Sequence, residues 1–136
     1  MSVVEIFLPE QQVVNNKCFP IVYQWDGVTQ KNRMTTWVRE NSSWLREQLL
    51  TYGAMLIRGL PMETPNDFED FVDGAGFPRM PYIGGAAVRS QVTQGRVLTS
   101  NESPSSEAIP FHHEMAQVPS PPAYLFFYCD LPPESG

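Results

Sequence analysis

The placement of proline constrains this chain more than any other feature. Seven of its thirteen prolines fall in the last third, at Pro104, Pro110, Pro119, Pro121, Pro122, Pro132 and Pro133. Each proline inside a helix costs ~3 kcal/mol, so no long helix fits there. Short strands between loops are expected instead, at Arg96 to Thr99, Phe111 to Met115 and Tyr124 to Cys129. Asn101 to Ala108 reads as the polar loop that delivers the chain to the second of these.

The first part of the chain reads differently. Val3 to Leu8 is a short β-type run closed by Pro9. Phe19 to Trp25 is a second, with Asp26-Gly27 as its turn. From Thr36 to Tyr52 the spacing turns helical, because Trp37, Trp44, Leu45, Leu49 and Tyr52 share one apolar stripe. Asn41-Ser42-Ser43 leaves open whether this is one helix or two. Gly53 stands where a left-handed cap ends a helix. Ala54 to Arg58 has the length and composition of a strand. Thr64-Pro65-Asn66-Asp67 starts a helix with a capping residue, a proline at the first helical position and a capping-box acid. Phe68, Phe71 and Val72 form its buried face, and Gly74 to Gly76 ends it.

Composition removes several classes. The chain has 136 residues, enough for one ordinary domain, and at 42% hydrophobic and 18% charged it should fold. A net charge of -6 argues against nucleic acid or an anionic membrane as partner. No apolar run is long enough for a membrane span, and Met1 to Glu5 lacks the pattern of a signal peptide. Cys18 and Cys129 make no disulfide framework, so a reduced, cytoplasmic protein is expected.

The chemistry-bearing motif is Phe111-His112-His113-Glu114-Met115. On a strand, alternate side chains share a face, so His112 and Glu114 point one way while His113 and Met115 point the other. An imidazole and a carboxylate on one face are two of the three ligands in a 2-His-1-carboxylate iron site. The third would be another histidine, and His112 and His113 are the only two in the chain. The competing reading is a half-exposed strand whose polar side chains face water. Arg89 and Arg96 are candidates for gripping a carboxylate, or plain salt-bridged surface arginines. Asn101 is a candidate substrate contact or a turn residue. Tyr82 with Gly84-Gly85 is a candidate lid or an ordinary tight turn. Phe111 and Met115 are expected in the core, and Cys129 as a buried, inert thiol.

Three stretches together carry a family resemblance: Tyr82-Ile83-Gly84-Gly85-Ala86-Ala87-Val88-Arg89, then Ile109 through Ala116, then Phe127-Tyr128-Cys129 through Pro132-Pro133-Glu134-Ser135-Gly136. With Gly53 to Leu60 upstream, the chain from about residue 36 to 136 resembles the TauD/TfdA family of iron(II)- and 2-oxoglutarate-dependent dioxygenases, in particular its clavaminate-synthase-like branch. The resemblance implies an α+β to mainly β fold, the N-terminal part of a double-stranded β-helix (jelly-roll) with flanking helices. Residues 1–136 would form a single, truncated domain. Its helical and strand part would span about 1–80, and the start of an incomplete barrel about 81–136. It implies that His112 and Glu114 are metal ligands for Fe(II), with 2-oxoglutarate as cosubstrate and a small organic molecule as substrate. A 2-oxoglutarate threonine, the second histidine ligand and a cosubstrate arginine would lie beyond Gly136. The chain ends in mid-motif, as a fragment would, and is expected to be inactive alone. Its unpaired sheet edge, with Phe126, Phe127 and Tyr128 exposed, would favour self-association. A non-catalytic relative that binds a ligand or partner is the alternative, and a structural domain with a chance His-Glu pair is a third reading.

Overall fold

The computed structural model describes residues 2–27, 29–100, 102–104 and 106–132. Strands β1 (Val3–Glu5), β2 (Gln12–Val14), β3 (Lys17–Phe19) and β4 (Ile21–Trp25) come first. Helices α1 (Lys31–Glu40) and α2 (Ser42–Tyr52), strand β5 (Met55–Arg58) and helix α3 (Pro65–Gly74) follow. β1, β4 and β5 form a sheet in that order, antiparallel between β1 and β4 and parallel between β4 and β5. The central β4 is apolar almost throughout and buried at Ile21, Val22, Tyr23 and Trp25, as a strand flanked on both edges requires. Met34, Trp37 and Val38 of α1, Leu45 of α2, and Phe71 and Val72 of α3 complete the core. Trp37 sits edge-on between Trp25 and Trp44, at ring centroid distances of 5.5 and 6.0 Å.

The helical stripe resolves into two helices. Asn41 ends the first: its side-chain amide and its own N–H both donate to the Trp37 carbonyl, at 2.8 and 2.9 Å. No side-chain bond from Asn41 caps the second helix. α1 starts at Lys31, ahead of the apolar stripe, because Lys31 pairs with Glu63 and Asp67 at 3.1 and 3.0 Å and so ties the first turn to α3. Gly53 takes φ 80°, and its N–H returns to the Leu49 carbonyl. Thr64 and Asp67 cap α3 reciprocally, with Pro65 at its start. A hairpin of β2 and β3 has no counterpart in the strand expectations. Its turn residues, Asn15 and Asn16, have φ of 50° and 61°, the left-handed pair a two-residue hairpin turn demands.

After α3 the described chain forms neither helix nor paired strand, apart from one antiparallel bridge between Gln91 and Leu98. The strands expected at Arg96–Thr99, Phe111–Met115 and Tyr124–Cys129 do not form, and no barrel closes among the described residues. A strand exists only with a neighbour to bond to, and the prolines around these segments lack the N–H donors a ladder needs. Residues 124–128 still show the alternation of a strand. Tyr124 and Phe126 pack edge-on against buried Phe77 at 4.6 and 5.0 Å, and Tyr128 stacks on Phe68 at 5.5 Å. Leu125 and Phe127 between them are exposed. The exposed patch is therefore Phe127 with its neighbours Leu125 and Leu131, while Phe126 and Tyr128 are half-buried. Cys129 is exposed rather than buried, because it falls on the outward side of this alternation. No helix among the described residues is long and apolar enough to cross a membrane.

Candidate functional site

Phe111, His112 and His113 belong to no helix or strand, and the chain turns from Glu114 to Gln117. Met115 occupies the turn with φ 54° and is buried, which anchors the turn in the protein. Phe111, expected in the core, is fully exposed, since no neighbouring strand covers it. The turn brings His112 and Glu114 together, with His112 Nε2 3.6 Å from Glu114 Oε2. His112 Nδ1 lies 2.8 Å from the Pro110 carbonyl, which can only accept. Nδ1 therefore carries the proton, and in the neutral ring the lone pair is on Nε2, facing the carboxylate. This is the tautomer a metal-binding histidine has when its other nitrogen is held by a carbonyl.

Two metal bonds of about 2.1 Å span at most about 4.2 Å, so one ion reaches both Nε2 and Oε2 across their 3.6 Å gap. Two such bonds at right angles would span ~3.0 Å, so the pair would have to close slightly to form the N,O edge of a facial triad. No third histidine, cysteine or acidic residue joins them among the described residues. His112, His113 and Glu114 all line one open cleft of about 1480 Å³, with α2, β5 and the 121–130 segment as its other walls. Alternation therefore does not separate His113 from the other two. The cleft exceeds the roughly 300–1,000 Å³ of most small-molecule pockets, so its size selects no substrate.

The arginine Arg89 enters the site from 25 residues upstream. Its Nη2 donates to Glu114 Oε1 at 2.8 Å, and both side chains are largely buried. Burial opposes the Arg89 charge, but Tyr82 and Glu114 outweigh it and hold the pKa above the usual arginine value. Arg96 pairs instead with Asp73 of α3, at 3.0 Å. Its N–H donates to Glu69, also on α3, at 2.7 Å. Tyr82 and Gly84-Gly85 make a closed turn. The Tyr82 hydroxyl bonds both the N–H and the carbonyl of Ala87 at 3.2 Å, and Gln117 donates to the Gly84 carbonyl at 3.0 Å. Asn101 lies outside the described residues.

His112 and Glu114, beside the 114–117 turn, are the residues of this site that could share a metal ion. Residues 29–136 match the family described as "Taurine catabolism dioxygenase TauD, TfdA family". The chain belongs to the TauD/TfdA family. It is 41% identical over 142 residues to a clavaminate synthase-like protein of Arabidopsis thaliana, an alignment covering 100% of this chain and 43% of that relative. The chain therefore spans less than half the length of the curated relative it matches.

Proposed function

We propose that this chain is the N-terminal part of an iron(II)- and 2-oxoglutarate-dependent dioxygenase that oxidises a small organic substrate. In this reading His112 and Glu114 are its first two metal ligands. The observation that carries the reading is the 3.6 Å approach of His112 Nε2 to Glu114 Oε2, with Nδ1 held by Pro110. The Pro110 carbonyl fixes the ring's tautomer and orientation, and the buried Met115 fixes the turn that carries Glu114. Iron with 2-oxoglutarate would supply the oxidising power, 2-oxoglutarate leaving as succinate and CO2. The second histidine ligand and the groups that hold 2-oxoglutarate belong, in this proposal, to the part of the longer relative that the chain does not span. The same proposal makes the chain the opening of a jelly-roll domain, with residues 124–128 a strand awaiting its neighbours. The net charge of -6 argues against nucleic acid or an anionic membrane as its partner.

The Arg89–Glu114 ion pair favours a second reading, a non-catalytic relative whose carboxylate is already neutralised and which keeps the scaffold for binding. Anaerobic titration of the chain with Fe(II), followed by calorimetry, separates the two. The metal reading expects weak binding that His112→Ala and Glu114→Ala each abolish. Binding that ignores both substitutions, or no binding at all, overturns it.

A further inference from the structure

We propose that Arg89 is the positioning residue for the Glu114 carboxylate, an inference that rests on the reading of Glu114 as a metal ligand. Arginine presents its donors in a rigid planar fork. Arg89 Nη1 donates to the carbonyl of Thr99 at 3.0 Å and to that of Ser100, while Nη2 donates to Glu114 Oε1 at 2.8 Å. The guanidinium also lies over the Tyr82 ring, 4.9 Å from its centroid. That ring is itself fixed, by its hydroxyl on Ala87 and by the backbone of Gly85, which it approaches so closely that a Cβ there would overlap it. Carbonyls on one edge and an aromatic face on another thus hold the fork in place where it meets Glu114.

The consequence is at the second oxygen. With Oε1 taken by Arg89, only Oε2 faces His112 Nε2. A carboxylate free to rotate offers either oxygen, or both at once. Held in this way it offers one, which would set the metal position between Oε2 and His112 Nε2. Arg89 Nε is buried without a hydrogen-bond partner among the described residues, so the fork is placed for the contacts of its two outer nitrogens at the expense of its inner one. A cation this close also opposes a metal ion. The carbonyls of Thr99 and Ser100 and the Tyr82 face offset part of that charge.

The test is a Co(II) titration of the full chain and of Arg89→Ala, Arg89→Lys and His112→Ala, read by calorimetry and visible absorption, with a thermal melt of each. Lysine keeps the charge, but one ammonium cannot span two carbonyls and a carboxylate. Both Arg89 variants are expected to bind Co(II) about tenfold more weakly. Their Co(II) spectra are expected to shift as Glu114 becomes free to chelate through both oxygens. Arg89 variants that bind as tightly as the parent or more tightly, while His112→Ala loses binding, overturn the positioning role and leave the metal reading intact. A His112→Ala chain that binds like the parent removes the metal reading, and this inference with it. Should Arg89→Ala not melt cooperatively, Arg89→Lys decides. Loss of the cooperative melt in both assigns Arg89 to folding alone and overturns the proposal.

Discussion

Lowering the pH should loosen the start of α3 through one carboxylate, Asp67. Its Oδ2 accepts from the N–H groups of Glu63 and Thr64 at 3.0 and 2.9 Å, from the Thr64 hydroxyl at 2.8 Å and from Lys31 Nζ at 3.0 Å. Burial pushes this carboxyl up, but the N–H of Glu63, the Lys31 ammonium and both Thr64 donors outweigh it, bringing it down to about 2. A carboxyl at about 2 in the fold and ~3.9 in the unfolded chain carries at most roughly 2.6 kcal/mol of pH-dependent stability. Most of these bonds are exposed, and screening reduces that to about 1 kcal/mol. Because the folded value is depressed, the contribution is fully present above the unfolded pKa. It is lost as the pH falls from about 4 through about 2. Urea melts at pH 6 and pH 2.5 for the parent and for Asp67→Asn isolate it from other carboxylates. At pH 2.5, still above the folded value, the parent should have lost about two-thirds of it, ~0.7 kcal/mol more than the variant. Equal losses in the two proteins would refute the argument, showing that the cap is not sensitive to its charge.

Other outcomes follow from packing and from the proposed site. The chain by itself should release no succinate from 2-oxoglutarate with Fe(II), since it offers two ligands. Iron-dependent release abolished by His112→Ala would show that it suffices alone. Phe77→Ala should cost ~3–5 kcal/mol in a urea melt, because that ring packs against Tyr124, Phe126 and the Arg46 guanidinium, 4.0 Å away. Gly95→Ala should weaken the hold of α3 on the Arg96 loop, because its Cβ would overlap the Glu69 carboxylate that accepts from the Arg96 N–H. Proteolysis between residues 90 and 100 should accelerate in that variant. We also propose that copies associate through the outward face of residues 125–131. Size-exclusion chromatography should then show larger species that shrink with Phe127→Ser, and a compact monomer before and after would refute it.

The parts of the fold legible in the sequence are those whose energies act between near neighbours in the chain. The capping box of α3, the turn glycine Gly53, the apolar stripe of α2 and the β4 and β5 runs all depend on spacings of two to four residues. The Asn15-Asn16 hairpin was equally local, and a search for paired left-handed residues would have found it. The closeness of His112 and Glu114 was also implicit in their spacing, although a buried turn at Met115 produces it where a strand was expected. Tertiary structure alone decided what depends on a distant partner. Whether Tyr124–Cys129 pairs as a strand, whether Phe111 and Cys129 are covered, and which acid each arginine meets are set by chain segments 20 or more residues away. Arg89 and Arg96 are seven residues apart and alike in sequence. One reaches Glu114 and the other Asp73, because α3 places its acids beside the second and the 114–117 turn brings its carboxylate to the first. Local propensity carries no record of such encounters, since their free energy exists only once the chain has folded.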